Sequence, residues 1–203
     1  SSGKSTLLRN MIHRISEGIP PSDAKLLVID YRRQLLGECP ATHLAGYAST
    51  KQDVQEFISQ LVPLLESRMP AGVDDPQTLR DRSWWKGPDI FLVVDDYDLV
   101  ATSSGNPLQG LLELLPYGRD IGLHMVVARR CTGFSRTSFE PIMARLRELH
   151  PTIFLMSGTA EEGIIAGGRK ARSLSKGRAD VISNQGTHQV VQFAHHVGEE
   201  KTE

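Results

Sequence analysis

The length, composition and charge of the chain are those of an ordinary globular domain and exclude several other classes of protein. Its 203 residues are 39% hydrophobic and 23% charged, with a formal net charge of -1, which favours neither a disordered segment nor a bulk nucleic-acid binder. The longest apolar runs, such as residues 90–94 and 123–128, are too short to span a bilayer. The two cysteines, Cys39 and Cys131, have neither zinc-site spacing nor the pattern of a secreted disulfide framework.

In chain order, the first predicted elements alternate between helix and strand. Apolar residues recur at helical spacing over residues 7–15, and Gly18 ends that helix. Residues 25–29 then form a predicted buried strand. A second helix begins at Thr50, where the sequence has capping-box form, and Pro63 is expected to kink it or end it early.

The second half continues the alternation after a surface connection at residues 69–89, which are rich in Pro, Gly and Asp. The clearest strand is at residues 90–94. The remaining predicted elements are a short helix at 107–116, strands at 123–128, 152–155, 179–182 and 189–193, and an amphipathic helix at 138–149. The pattern predicts an α/β fold, with a mostly parallel sheet and helices on both faces. We expect one module over residues 1–197 and a charged, disordered tail at 198–203.

The first five residues carry the first functional motif. Ser2-Gly3-Lys4-Ser5-Thr6 is the second half of the phosphate-loop pattern G-x-x-x-x-G-K-[ST], and it opens directly into the first helix. Backbone N–H groups there face phosphates, and the helix dipole favours anions. Lys4 is predicted to bridge the β- and γ-phosphates, and the Ser5 hydroxyl to ligate Mg²⁺. These five residues therefore predict a site for ATP with Mg²⁺, and we expect the strand that precedes such a loop to lie ahead of residue 1.

An acidic pair follows the clearest strand and completes the predicted site. Asp95 comes directly after residues 91–94 and is predicted to hold Mg²⁺ opposite Ser5. Asp96 stands where many ATPases place a glutamate that orients the attacking water, but its side chain reaches about 1.5 Å less. Because misplacement by ~1 Å lowers rates by on the order of 100-fold, we expect a RecA-like P-loop NTPase that binds ATP and hydrolyses it slowly. Lys4 and Asp96 are the candidate catalytic residues.

Several segments beyond the phosphate loop resemble a known family. Gly118-Arg119-Asp120-Ile121-Gly122 and Gly177-Arg178-Ala179-Asp180 resemble FtsK/SpoIIIE-type motor ATPases. Residues 82–89 with the Trp84-Trp85 pair, residues 93–100 with Asp95-Asp96-Tyr97-Asp98, and residues 106–108 and 118–130 are similar to the C-terminal ATPase module of the EccC/EssC ATPases of type VII secretion systems. The resemblance extends from Gly3 to about Phe193.

Membership in that family would imply a set of partners. Such proteins join two to four ATPase modules, form ring-like assemblies, and export small helical-hairpin proteins. The resemblance implies that this module receives the C-terminal signal of a secreted substrate, works on the cytoplasmic side of an inner-membrane secretion complex next to preceding ATPase modules, and turns over nucleotide weakly. FtsK-like motors usually carry a Gln sensor where this chain has Ala128-Arg129-Arg130-Cys131, which puts FtsK-style coupling in doubt.

Two other functions stay open from the sequence. The fold and the Gly177–Asp180 segment also suit an FtsK-like DNA translocase module, although the net charge argues against DNA binding. Asp96 and the altered sensor keep open a nucleotide-free structural adaptor. Arg119, Arg129, Arg130 and Arg136 are candidate arginine fingers, each more simply explained by solvation or structural pairing. The Trp84-Trp85 pair is either a partner anchor or the contact that packs the long loop onto the sheet edge.

Overall fold

A four-stranded parallel sheet forms the centre of the molecule. The computed structural model describes residues 3–134 and 139–194, so the tail expected at 198–203 lies outside the described residues. The strands of this sheet are β1 (Ala24–Ile29), β2 (Leu44–Ala48), β3 (Asp89–Val94) and β4 (Leu123–Val127), in the order β2-β1-β3-β4. Neighbouring strands pair in parallel throughout, and Ile29 lies beside Val94 in the register. The carboxyl ends of all four strands therefore lie at one edge of the sheet.

Helices cover both faces of this sheet because alternate strand residues point to opposite sides. Leu27 and Ile29 of β1 pack with the apolar side of α2 (Lys51–Glu66). Leu26 and Val28 pack on the other face with Leu8 and Ile12, which belong to α1 (Lys4–Gly18). This arrangement confirms the predicted α/β fold.

The predicted start of α2 is confirmed. Of the two effects expected of Pro63, a kink or an early end, the early end is wrong. The Thr50 hydroxyl accepts a hydrogen bond from Asp53 N–H, and the Asp53 carboxylate accepts one from Thr50 N–H, which completes the capping box. The helix continues to Glu66. Pro63 has no N–H and lies in the last turn, so the helix loses one backbone hydrogen bond there. Buried Leu61 and Leu65 keep that turn packed.

The remaining helices are short. They are α3 (Pro76–Asp81), α4 (Tyr97–Val100), α5 (Gly118–Ile121) and α6 (Pro141–Glu148). α3 lies inside the segment expected to be a surface connection. Two 3₁₀ turns, Gln109–Leu111 and Leu115–Tyr117, replace the single helix expected at 107–116. Leu111, Leu114 and Leu115 are buried in the core.

A second, antiparallel sheet follows the parallel one. It contains β5 (Ile153–Met156), β8 (Arg178–Ile182) and β9 (His188–Gln192) in the order β5-β8-β9. A small hairpin, β6 (Ile164–Ala166) with β7 (Arg169–Lys170), lies between them in sequence. β8 and β9 pair antiparallel because the five-residue connection 183–187 is too short for a parallel crossover.

An apolar cavity of about 430 Å³ lies between β4 and β5. Among the described residues β4 pairs only with β3, so its second edge faces this cavity. The cavity is lined by Met125 and Val127 of β4, Phe154 of β5, Leu7 of α1 and Leu146 of α6. Within the described part of the chain, no helix is long and apolar enough to cross a membrane.

Candidate nucleotide site

The phosphate-loop residues form the amino-terminal turn of α1 at the carboxyl edge of the parallel sheet. Gly3 has φ +98°, a left-handed conformation that favours glycine. The first hydrogen bond of the helix runs from Leu7 N–H to the Gly3 carbonyl (3.0 Å). The N–H groups of Lys4, Ser5 and Thr6 precede that bond and belong to the group that a helix leaves for ligands. No acidic residue lies in this turn to neutralise its positive end. Ser2 lies outside the described residues.

One hydrogen bond joins the phosphate loop to the end of β3. The Ser5 hydroxyl donates to Asp95 Oδ2 at 2.8 Å, across 90 residues of sequence. Asp95 is 2% exposed. Burial raises the pKa of the Asp95 carboxyl, and the negative charges of Asp96 and Asp30 raise it further, although the Ser5 hydroxyl and the Asp96 N–H lower it. A buried, charge-crowded carboxylate beside a hydroxyl is a suitable environment for a hard cation.

The residues present fit Mg²⁺ in the way that phosphate loops bind it. Ser5 supplies a hydroxyl oxygen and Asp95 a carboxylate oxygen, and Mg²⁺ in nucleotide sites commonly takes one or two carboxylates together with phosphates and waters. The described residues contain no group of three or more His, Cys, Asp or Glu side chains able to hold a metal ion. The structure thus brings together Ser5 and Asp95, the two predicted magnesium ligands.

Asp96 lies beside Asp95 in an unusual backbone conformation. It has φ 43° and ψ 54°, the left-handed region. Its N–H donates to Asp95 Oδ1 (2.9 Å), and its Oδ2 accepts a hydrogen bond from Arg32 Nη1 (3.2 Å). The sequence interpretation did not include Arg32. Its position two residues beyond Asp30, which follows the strand next to β3, is the signal that could have indicated it.

The arginines at the end of β4 occupy two different environments. The side chain of Arg129 is 9% exposed, and its Nη2 donates to Asp98 Oδ1 (3.0 Å), whereas Arg130 uses its backbone N–H to bond Asp98 Oδ2 (2.9 Å). Asp98 therefore ties the altered sensor segment to the acidic stretch after β3. Arg119 precedes β4, so it lies at the opposite, amino edge of the sheet and not beside a strand's carboxyl end. Arg136 lies outside the described residues.

The two tryptophans pack at that amino edge. Trp84 Nε1 donates to the Arg68 carbonyl (2.7 Å), and Trp85 Nε1 to the Asp120 carbonyl (2.9 Å). The Arg68 guanidinium lies 4.1 Å from the Trp85 ring centroid. These contacts support the interpretation that the pair fastens the long loop to the sheet.

The Gly177–Asp180 segment lies next to the phosphate loop. A Cβ built on Gly3 would meet the Gly177 backbone at 3.7 Å. Asp180, with its side chain 2% exposed, accepts two hydrogen bonds from Arg172, at 2.8 and 2.7 Å, and one from His188 at 2.9 Å. The Arg172 guanidinium holds the pKa of the Asp180 carboxyl well below its usual range. This motif therefore has a structural role that its sequence did not reveal.

Comparison with known proteins finds relatives by both sequence and structure, although no family model matches the chain. The chain is 46% identical over 192 residues to the ESX-4 secretion system protein EccC4 of Mycobacterium tuberculosis H37Rv, a match that covers 95% of the chain and 16% of that protein. The solved cytoplasmic domain of the Thermomonospora curvata type VII secretion ATPase EccC matches 97% of the chain and 23% of its own length, at 40% identity and a TM-score of 0.93.

A second solved structure contains ATPases 2 and 3 of T. curvata EccC in complex with a signal sequence peptide. It matches 97% of the chain and 35% of its own length, at 40% identity and a TM-score of 0.92. The chain thus spans only a part of each of these relatives. It belongs, as one P-loop ATPase domain, to the EccC/EssC family of type VII secretion ATPases.

Proposed function

We propose that this chain is an ATP- and Mg²⁺-binding module of a type VII secretion motor that recognises the C-terminal signal of a secreted helical-hairpin protein. The observation that carries the nucleotide part is the 2.8 Å hydrogen bond between Ser5 and Asp95. That bond joins the two side chains proposed to hold Mg²⁺, the Ser5 hydroxyl and the Asp95 carboxylate, although 90 residues of sequence separate them.

The chain's own residues each have a task at this site. The N–H groups of Gly3, Lys4, Ser5 and Thr6 bind phosphate oxygens at the start of α1, and the Lys4 ammonium neutralises the β- and γ-phosphates. Ser5 and Asp95 hold Mg²⁺, which supplies charge neutralisation on the phosphates. Ser2 is proposed to extend the same loop.

Hydrolysis is proposed to be slow because of Asp96. Its carboxylate is shorter than the usual glutamate, and Arg32 already occupies one of its oxygens. A water that attacks the γ-phosphate needs a well-placed acceptor within about 2.6–3.2 Å. Lys4 and Asp96 remain the candidate catalytic residues.

The signal-receptor part is supported by the relatives. ATPases 2 and 3 of T. curvata EccC, solved with a signal sequence peptide, share 40% identity over 97% of this chain. We infer that this chain is the C-terminal module and works on the cytoplasmic side of an inner-membrane complex, beside preceding ATPase modules, in a ring-like assembly. We propose a protein substrate and not DNA, because the net charge of -1 gives no support to DNA binding; an FtsK-like DNA translocase module is the alternative.

We also infer that residues 1–197 form one ATPase module. The support is the continuous alternation of helices and strands from α1 to β9 in the described part of the chain.

The nucleotide proposal is tested by calorimetric titration with Mg²⁺ and a non-hydrolysable ATP analogue. Lys4→Ala is expected to weaken binding at least tenfold, which corresponds to about 1.4 kcal/mol. Lys86→Ala removes the same charge from an exposed site at the opposite edge and is expected to bind as the unchanged protein does. Equal affinities for both variants would contradict the proposal.

The receptor proposal is tested separately by fluorescence polarisation. Labelled peptides with the C-terminal signals of helical-hairpin substrates are expected to bind, and scrambled versions are not. Equal binding of the signal and scrambled peptides would refute recognition of the signal. ATP hydrolysis stimulated by DNA and weakened by salt would favour a translocase instead.

A further inference from the structure

A loop between β1 and β2 reaches the end of β3 and contacts Asp96. This segment, residues 30–38, is here named the Arg32 loop. Arg32 Nη1 lies 3.2 Å from Asp96 Oδ2, and the side chains are 58% and 13% exposed. The candidate water-orienting carboxylate is therefore already engaged by a cation of the same chain.

A buried carboxylate fixes the base of the Arg32 loop. Asp30, 1% exposed, accepts hydrogen bonds from Leu35 N–H at 2.6 Å and from the Tyr47 hydroxyl at 2.8 Å. Leu35 is 1% exposed and packs in the core beneath α1. The turn that carries Arg32 is thus closed by a short hydrogen bond and held by a buried side chain.

The P-loop helix α1 fixes the outer part of the same loop. Arg9 Nη2 donates to the Gln34 carbonyl at 2.6 Å, and Arg9 Nε lies 3.0 Å from Glu38 Oε1. His13 Nε2 lies 3.2 Å from Glu38 Oε2. The element that presents the phosphate-binding N–H groups therefore also positions the Arg32 loop, so the contact with Asp96 is built into the fold.

The contact limits what Asp96 can do chemically. A carboxylate orients and activates a water by accepting its proton or hydrogen bond. A guanidinium on Oδ2 takes one of the two acceptor oxygens and partly neutralises the negative charge. Rotation of the Asp96 side chain away from Arg32 would break this contact. The main chain of Asp96 is held by its N–H bond to Asp95 and has a left-handed conformation.

We propose that Arg32 is a positioning residue that restrains Asp96 and lowers the rate of ATP hydrolysis, an inference that rests on the proposed nucleotide function. Arg32 is more than half exposed, so the ion pair is of the weak, solvent-screened kind. Its release is expected to raise kcat about two- to fivefold. The opposite role, in which Arg32 stabilises the phosphates during hydrolysis, would make its loss lower kcat.

The experiment compares Arg32→Gln with Arg33→Gln, a matched change on the neighbouring exposed arginine of the same loop. Single-turnover hydrolysis is measured at saturating Mg·ATP, and the dissociation constant of ATP is measured independently. The Arg32 variant is expected to hydrolyse about two- to fivefold faster with unchanged affinity, and the Arg33 variant to match the unchanged protein.

Two further readouts separate restraint from a merely structural role. In an Asp96→Asn background the Arg32 substitution is expected to have no effect on kcat, because the restrained charge is gone. Raising the salt from roughly 0.02 to 0.3 M is expected to speed the unchanged protein more than the Arg32 variant, because salt screens exposed ion pairs. Equal or slower hydrolysis by the Arg32 variant, with ATP still bound, would overturn the restraint. Failure of the unchanged protein to bind ATP would instead refute the nucleotide function itself.

Discussion

Replacement of Asp180 by Asn tests whether the Gly177–Asp180 motif stabilises the fold beside the phosphate loop. The Asp180 carboxylate takes three hydrogen bonds, two from Arg172 and one from His188. The segment from Arg172 is also held by bonds from Gly158 N–H to the Arg172 carbonyl and from Leu174 N–H to the Ser157 hydroxyl. Its end, Gly177, packs against Gly3.

The expected loss of stability follows from the burial of Asp180 and the partial exposure of Arg172. Asn keeps the shape but removes the charge and one of the two acceptor oxygens that Arg172 uses. Hydrogen bonds to charged groups contribute about 1.5–3 kcal/mol, but the Arg172 side chain is 52% exposed and regains hydration. We therefore expect a loss of about 2 kcal/mol in the free energy of unfolding, measured by urea denaturation near pH 7. Asp74→Asn, the same change on an exposed carboxylate, is expected to alter it by less than about 0.5 kcal/mol.

The stability difference between the unchanged protein and Asp180→Asn is expected to depend on pH. Because Arg172 lowers the pKa of Asp180 in the folded protein, its stabilisation is fully present above the unfolded pKa of about 3.9. It is lost as the pH falls below that value toward the folded pKa. The difference in the free energy of unfolding between the unchanged protein and Asp180→Asn should thus shrink below about pH 4. An Asp180→Asn variant as stable as Asp74→Asn would refute this stabilising role of Asp180. A stability difference that does not change in acid would refute it as well.

Three further substitutions probe the two edges of the sheet. Asp95→Asn is expected to abolish Mg²⁺-dependent ATP binding yet to raise the free energy of unfolding at neutral pH by about 0.5–2 kcal/mol. Burial raises the pKa of this carboxyl, so its ionised form destabilises the fold until acid protonates it; a less stable variant would contradict this. Gly3→Ala is expected to lose about 1–2 kcal/mol because of φ +98° and to weaken ATP binding in calorimetry; unchanged affinity would count against the loop geometry. Trp85→Ala is expected to lose about 2 kcal/mol, less than a buried tryptophan would, with ATP affinity unaltered; a changed affinity would show that the amino edge contributes to the site.

The local elements were predictable because their signals lie within a few residues. The 3.6-residue periodicity over residues 7–15 gave α1, and the capping box at Thr50 gave the start of α2. β2 was missed because Leu44–Ala48 is short, contains Gly46 and is only half buried. The strands at 152–155, 179–182 and 189–193 were predicted, but their antiparallel pairing was not. Strand direction depends on the length of the connection between strands and on pairing partners far apart in sequence.

The candidate site was predictable in its components and not in its contacts. Gly3 to Thr6, Asp95 and Asp96 each stand in a recognisable local pattern, and the parallel sheet brings them to one edge. Arg32 and Asp30 carry no such pattern, since their relevance comes from strand order, which places β1 beside β3. The partner of Asp180 likewise depends on how the chain after β7 returns to β8.

The central claim is that Ser5 and Asp95 hold a metal ion on a nucleotide bound by Lys4. A crystal grown with Mn²⁺ and a non-hydrolysable ATP analogue tests it directly, because manganese gives an anomalous signal and takes the same oxygen ligands as Mg²⁺. We predict one anomalous peak, which marks a manganese ion bound by the Ser5 hydroxyl and lying beside the Asp95 carboxylate, with the triphosphate at the start of α1. A nucleotide bound elsewhere, or one bound there with the metal away from Ser5 and Asp95, would contradict it.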